Sequence, residues 1–229
     1  MAAPIVHTFP CLKDNYGFLL HEPDSGETAC IDTPEVDRIL AEAEGKGWKI
    51  TQIWNTHWHP DHAGGNAAIK AATGCRIVGP KGEAAKIPTL ERQLVEGDAV
   101  KLGSVTARVL DTPGHTAGHI VYHLPDHGIA FVGDTLFALG CGRLFEGTAQ
   151  QMWTSLGKLR ILPDDTKVYC AHEYTQANAA FALSIDPENR DLQIYADEVA
   201  QKRSTGRPTV PTTIGREKRA NPFLRADDP

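Results

Sequence analysis

The chain has 229 residues and a formal charge of −6, from 23 Lys and Arg against 29 Asp and Glu. That length allows one large domain, or one domain with a small appendage, and the acidic balance argues against nucleic acid as main partner, which asks for a basic face. No apolar run approaches the roughly 20 residues that span a bilayer, and the Met1-Ala-Ala-Pro start has neither the basic nor the apolar part of a signal peptide, so neither is expected.

Early in the chain, strand-like and helix-like stretches alternate. Tyr16 to His21 and Glu27 to Ile31 flank Glu-Pro-Asp-Ser-Gly, a turn-rich spacer that predicts a hairpin. Thr33-Pro34 supplies an N-cap and a first-turn proline, and Val36, Ile39, Leu40 and Ala43 then follow at helical spacing. Trp48 to Asn55 reads as a strand, Ala63 to Ala72 as a small-residue helix and Cys75 to Val78 as a strand. The middle is richer in strands: Ala99 to Leu102, Ser104 to Leu110, His119 to Leu124 and Ile129 to Val132. A helix is expected over Ala149 to Leu162 and a last strand over Lys167 to Cys170. Tyr174 to Leu183 and Asp191 to Lys202 read as helices, and the Pro- and Thr-rich chain from Gly206 onward as extended. These stretches divide the chain into a mixed α/β domain, 1–172, and a helical extension, 173–229.

Thr56-His57-Trp58-His59-Pro60-Asp61-His62 leaves a predicted strand and enters a predicted helix. In extended chain the side chains of His57 and His59 project to one side, so both reach one cation. Asp61 and His62 sit where the chain turns and point at a second place nearby. His115, Asp134 and His172 each lie just past the end of an apolar run, where α/β proteins gather their sites. The seven residues divide into His57, His59 and His115 around one metal and Asp61, His62 and His172 around another. Asp134, acceptor-only when ionised, bridges them. Nitrogen and oxygen donors without thiolate suit zinc and tolerate iron or manganese. His7, His21, His123 and His127 read as surface or core residues, and His119 as structural. Cys141, flanked by glycines, reads as packing. All five cysteines lack a Cys-x-x-Cys partner and are expected as free thiols of a cytoplasmic protein.

The His-x-His-x-Asp-His run with downstream His115, Asp134 and His172 resembles the metallo-β-lactamase superfamily. Lys13-Asp-Asn-Tyr16, Gly133-Asp-Thr-Leu-Phe137, Gly140-Cys-Gly-Arg-Leu-Phe-Glu-Gly147, His172-Glu-Tyr-Thr-Gln-Ala-Asn178, Pro208-Thr-Val-Pro-Thr and Asn221-Pro-Phe-Leu-Arg225 resemble its glyoxalase II (hydroxyacylglutathione hydrolase) branch. The resemblance implies an α/β fold, a four-layered αβ/βα sandwich with a dinuclear site between its sheets, and a C-terminal helical extension. It implies hydrolysis of S-D-lactoylglutathione to D-lactate and glutathione, with Asp61 and Asp134 catalytic as well as metal-ligating, and Arg143, Phe145 and Tyr174 holding the glutathione part. Glutathione thioester is then the partner, with no nucleic acid or membrane, and the working unit a monomer. The family pattern also implies a basic helix beyond Asn221-Pro-Phe-Leu-Arg225, whereas the sequence ends at Pro229. Three competing readings stand beside it: a mononuclear iron persulfide dioxygenase, a hydrolase of lactones or β-lactams, and a structural or regulatory metal-binding domain.

Overall fold

The computed structural model describes residues 2–228. Its first sheet takes β1 (Ile5–Cys11), β2 (Asn15–Glu22), β3 (Glu27–Ile31), β4 (Lys49–Trp54), β5 (Arg76–Pro80) and β6 (Arg92–Leu94) in that order. β7 (Ala99–Leu102), β8 (Val105–Asp111), β9 (Ile120–Leu124), β10 (Ile129–Gly133), β13 (Lys167–Cys170) and β14 (Thr212–Thr213) form the second, running from β14 at one edge to β7 at the other. A short hairpin, β11 (Leu136–Phe137) with β12 (Gly140–Cys141), lies outside both. The helices are α1 (Val36–Gly45), α2 (Pro60–Ala63), α3 (Asn66–Thr73), α4 (Ala149–Arg160), α5 (Thr175–Ile185), α6 (Arg190–Ser204) and α7 (Ile214–Ala220).

Alternation along β2 explains the layering. Phe18 and Leu20 face the core shared with Val109, Val121, Phe131 and Val168 of the second sheet. Leu19 between them joins Ile39 and Ile69, from α1 and α3, on the outer face. A strand buried on both faces reads as a continuous apolar run, as β2, β9 and β10 do. Met152, Leu156 and Leu159 of α4 join the core from the far side with Ile214 and Leu224. Helices outside and two sheets inside make the four-layered αβ/βα sandwich. A third apolar cluster, including Ala179, Ala182, Leu192 and Tyr195, holds the C-terminal helices together.

Most expected elements form within a few residues of their predicted bounds, and the differences have local causes. Thr33 does not cap α1, whose N-cap is Glu35 with no side-chain bond; its hydroxyl instead donates to Asn66 Oδ1 at 2.9 Å behind the His-rich loop. The helix expected from Ala63 is two, α2 and α3, interrupted at Gly64-Gly65. A Cβ on Gly64 would meet the Pro60 carbonyl oxygen at 2.4 Å and one on Gly65 the Thr33 carbonyl oxygen at 2.7 Å, so only glycine fits. The chain after Gly206, expected to stay extended, turns into β14 and α7, where Thr213 accepts from the Arg216 N–H as N-cap.

Candidate metal centre

All seven predicted ligands converge at one end of the sandwich, on the loops that follow β4, β8, β10 and β13 and, for Asp61 and His62, on α2. In the first set, His57 Nε2 lies 3.0 Å from His59 Nδ1, and His115 Nε2 lies 3.1 Å from the same atom. In the second, His62 Nε2 and His172 Nε2 stand 3.5 and 3.6 Å from Asp61 Oδ2. Asp134 reaches both: Oδ2 is 3.3 Å from His115 Nε2 and 3.4 Å from His172 Nε2, and Oδ1 is 3.4 Å from His62 Nε2.

These donors fit divalent cations. Tetrahedral ligands at about 2.0–2.1 Å stand roughly 3.3 Å apart, close to the separations seen. His62 Nε2 and Asp134 Oδ1 are buried without a hydrogen-bond partner, which is costly unless something binds there.

Behind the ligands, further groups fix which nitrogen faces inward. The Thr56 hydroxyl lies 3.1 Å from His57 Nδ1, Asp32 Oδ2 2.9 Å from His62 Nδ1, the Arg143 carbonyl 2.9 Å from His115 Nδ1, and Asp14 Oδ1 3.0 Å from His172 Nδ1. Asn15 Nδ2 donates to Asp61 Oδ2 at 3.0 Å. In these four histidines the inward nitrogen is thereby free to present its lone pair to a cation, the arrangement metal-ligating imidazoles use. Asp32 also clusters with His57 and His62, but its oxygens are taken by the Thr56 N–H and hydroxyl, both at 2.7 Å, and by His62. Its oxygens are thereby engaged in orienting the neighbouring side chains. Among the described residues of the site, Asp14, Asn15, Asp32 and Thr56 were not singled out from sequence for these roles. Asp32 follows β3 as His57 follows β4, and that strand-end position was the available signal. His119, expected to be structural, stands directly behind the bridge: its Nε2 accepts the Asp134 N–H at 3.0 Å, and Thr112 and Thr135 hydroxyls lie 2.9 and 3.1 Å from its Nδ1. His7 pairs with Glu42, His21 stacks on Trp48, His123 is buried in β9 and His127 is half-buried, all away from the centre.

Electrostatics separates the two sets. Burial, reinforced by neighbouring imidazoles, keeps His57 and His59 below the usual histidine range, and burial does the same at His115. Those three are neutral and ready to ligate. Burial opposes charge on His62 and His172, but the Asp134 carboxylate, helped by Asp32 at one and Asp14 at the other, holds both above it. Burial would likewise raise Asp61 and Asp134, yet His62 and the other imidazoles hold both well below the usual carboxylate range. Without metal, protons on His62 and His172 supply the positive charge the carboxylates require.

Over the centre opens a cavity of about 600 Å³, lined by His59, Asp61, His115, Asp134 and His172 together with Phe137, Cys141, Arg143, Phe145, Tyr174 and Asn178. Phe145 sets its ring edge-on to His59 and His115, at 5.6 and 5.2 Å. Tyr174 stacks on His172 at 4.7 Å with the planes 1° apart. One aromatic therefore walls each metal set, and Arg143 stands exposed at the rim. Burial pushes the Cys141 thiol up to about 12, so it is a wall and not a nucleophile.

The sequence matches the family model of the metallo-beta-lactamase superfamily over residues 24–172 and that of the hydroxyacylglutathione hydrolase C-terminus over 173–229. A hydroxyacylglutathione hydrolase of Maricaulis maris is 62% identical over 229 residues, 100% of this chain and 90% of that one. This chain belongs to the hydroxyacylglutathione hydrolases of the metallo-β-lactamase superfamily. One from Hyphomonas neptunium is 58% identical, covering 98% and 88% of the two chains. The crystal structure of ETHE1 from Myxococcus xanthus superposes with a TM-score of 0.74 at 30% identity, covering 97% of this chain and 85% of that one. Among the described residues no helix is long and apolar enough to cross a membrane.

Proposed function

We infer that this member of the family hydrolyses S-D-lactoylglutathione, and related S-2-hydroxyacylglutathione thioesters, to the 2-hydroxy acid and glutathione, the second step of methylglyoxal detoxification. The observation that carries the reading is the joining of two ligand sets through Asp134 beneath a cavity edged by Arg143, Phe145 and Tyr174. His57, His59 and His115 would hold one ion, Asp61, His62 and His172 the other, and Asp134 both. Zinc is the metal this donor set suits best, with iron or manganese as alternatives. Two such ions would supply Lewis acidity and would lower the pKa of a bound water towards neutrality.

The chain's own groups do the rest. Asp61, part exposed to the cavity and steadied by Asn15, accepts a hydrogen bond from the attacking water and aims it at the thioester carbonyl. Glutathione leaves as a thiolate of pKa about 8.5, so no strong general acid is required. Burial, with the Asp14 and Asp134 charges, pushes the Tyr174 hydroxyl up to about 12, so it stays a hydrogen-bond donor towards the peptide part. The Arg143 guanidinium pairs with a glutathione carboxylate, and binding energy gained there fixes the attack geometry. Residues 1–172 then carry the chemistry and 173–229 complete the substrate wall. All seven ligands come from one chain, which supports a monomer as the working unit, and five free thiols suit the cytoplasm.

The second set, with His62 Nε2 left unpartnered, favours this reading over a mononuclear dioxygenase. Parallel assays with S-D-lactoylglutathione, glutathione persulfide under oxygen, and a β-lactam decide the matter. Cleavage of the thioester alone is expected; oxygen uptake with the persulfide would overturn the assignment.

A further inference from the structure

The β11–β12 hairpin carries the substrate wall, and its tip is held from outside. Phe137 sets its ring edge-on to His172 and Tyr174 at 5.8 and 5.4 Å, and Cys141 lines the cavity. Two residues further on, Arg143 turns its carbonyl onto His115. At the tip, Ala138 and Leu139 are fully buried against the C-terminal helices. Leu139 has φ +57°, a left-handed conformation a bulky residue keeps only when its surroundings impose it.

The surroundings are side chains of the C-terminal segment. Glu217 Oε2 accepts the Leu139 N–H at 2.8 Å. Asn221 Nδ2 donates to the carbonyls of Phe137 and Gly140, at 3.1 and 3.0 Å, and to Glu217 Oε2 at 2.9 Å. Asn178 Nδ2 takes the Ala138 carbonyl at 3.0 Å. Four successive residues of the tip are thus bonded to side chains from α5, α7 and the turn after α7. Glu217 is itself anchored through Oε1 by the Thr212 and Tyr195 hydroxyls, at 2.6 and 3.1 Å. Asn221 Oδ1 is fixed by the Phe223 N–H at 3.0 Å. Both residues are fully buried.

We propose that Glu217 and Asn221 are positioning residues for substrate binding, acting through the β11–β12 hairpin that they grip. Neither touches the metal ligands or reacting atoms. They fix the hairpin's backbone, and the hairpin sets where Phe137 and Arg143 meet the glutathione part. The inference rests on the glutathione-thioester reading above.

Two substitutions separate positioning from bulk stability. Glu217→Leu removes both acceptor oxygens at similar size. Glu217→Gln keeps an oxygen for Leu139 and Asn221, and its amide donates to Thr212 and Tyr195, whose hydroxyls can reverse roles. With S-D-lactoylglutathione as substrate, Glu217→Leu is expected to raise KM on the order of tenfold, with kcat within about threefold and two metals retained. Glu217→Gln should recover most of that loss. A wild-type KM in Glu217→Leu despite a lowered Tm, or equal KM values in the two variants, would overturn the proposal. If Glu217→Leu does not fold, hydrogen exchange on the wild-type enzyme decides. Glutathione should slow exchange in residues 136–143 and 214–221 together, and protection confined to 136–143 would overturn it. Failure of the wild-type enzyme to cleave the thioester at all would instead overturn the functional reading, and the inference with it.

Discussion

Asp32 Oδ2 lies 2.9 Å from His62 Nδ1 and receives the Thr56 hydroxyl as well. One carboxylate thereby braces His62 directly and, through Thr56, His57 of the other ligand set. Asp32→Ala should loosen both imidazoles. Removing such an outer partner costs roughly 10- to 100-fold in metal affinity, and chelator competition at fixed pH would measure it. Unchanged affinity would mean the imidazoles are held by packing alone.

Asp134 lies within 3.4 Å of histidines from both candidate sets. Asp134→Ala is expected to abolish paired metal occupancy and to lower kcat by at least about a thousandfold. Metal analysis and turnover on the same sample check this. Wild-type-like activity with one ion bound would end the two-metal account.

The Arg143 side chain stands exposed at the cavity rim, while its carbonyl holds His115. Arg143→Ala should raise KM for glutathione thioesters roughly 10- to 100-fold and leave kcat nearly unchanged, while a simple thioester lacking the peptide loses little. An equal loss on both substrates would place Arg143 in the chemistry instead.

Metal and protons compete for one set of atoms. In the metal-free protein His62 and His172 are held above their usual range, so their contribution to stability is full below about pH 6.5 and is lost as pH rises through the raised folded values. Asp61 and Asp134 are held low, so theirs is full above about pH 3.9 and is lost as pH falls through the depressed values. His57, His59 and His115 are held low, so they cost stability as pH falls below about 6.5. Calorimetry of chelator-treated protein should therefore show Tm highest near neutral pH, falling on the alkaline side as His62 and His172 lose their protons. Metal should abolish the alkaline fall and release protons on binding, most strongly when added below the raised histidine values. A Tm that climbs steadily from about pH 7 to 9 without metal would contradict this.

The convergence of the seven candidate ligands was legible in the sequence because its spacing carries the chemistry: His57 and His59 two apart, Asp61 and His62 at the helix entry, and three more candidates just past apolar strands. The orienting groups were not, because a lone Asp32 or Asp14 looks like any strand-end acid until the fold brings it to a histidine 30 or 158 residues away. The break between α2 and α3 was hidden by small helix-forming residues around Gly64-Gly65, where close backbone approach outweighs propensity. The turn from extended chain into α7 was masked by the prolines before it. Glu217 did not stand out, and Asn221 did so only as the start of the Asn221-Pro-Phe-Leu-Arg225 run and not for this role, since what they hold is backbone far off in sequence.

Two cations on one centre are proposed to drive thioester cleavage. Turnover of S-D-lactoylglutathione, followed while zinc is added back to chelator-treated protein, tests it most directly. Activity should rise until two equivalents are bound and level off there. Full turnover at one equivalent, with the second ion adding nothing, would contradict it.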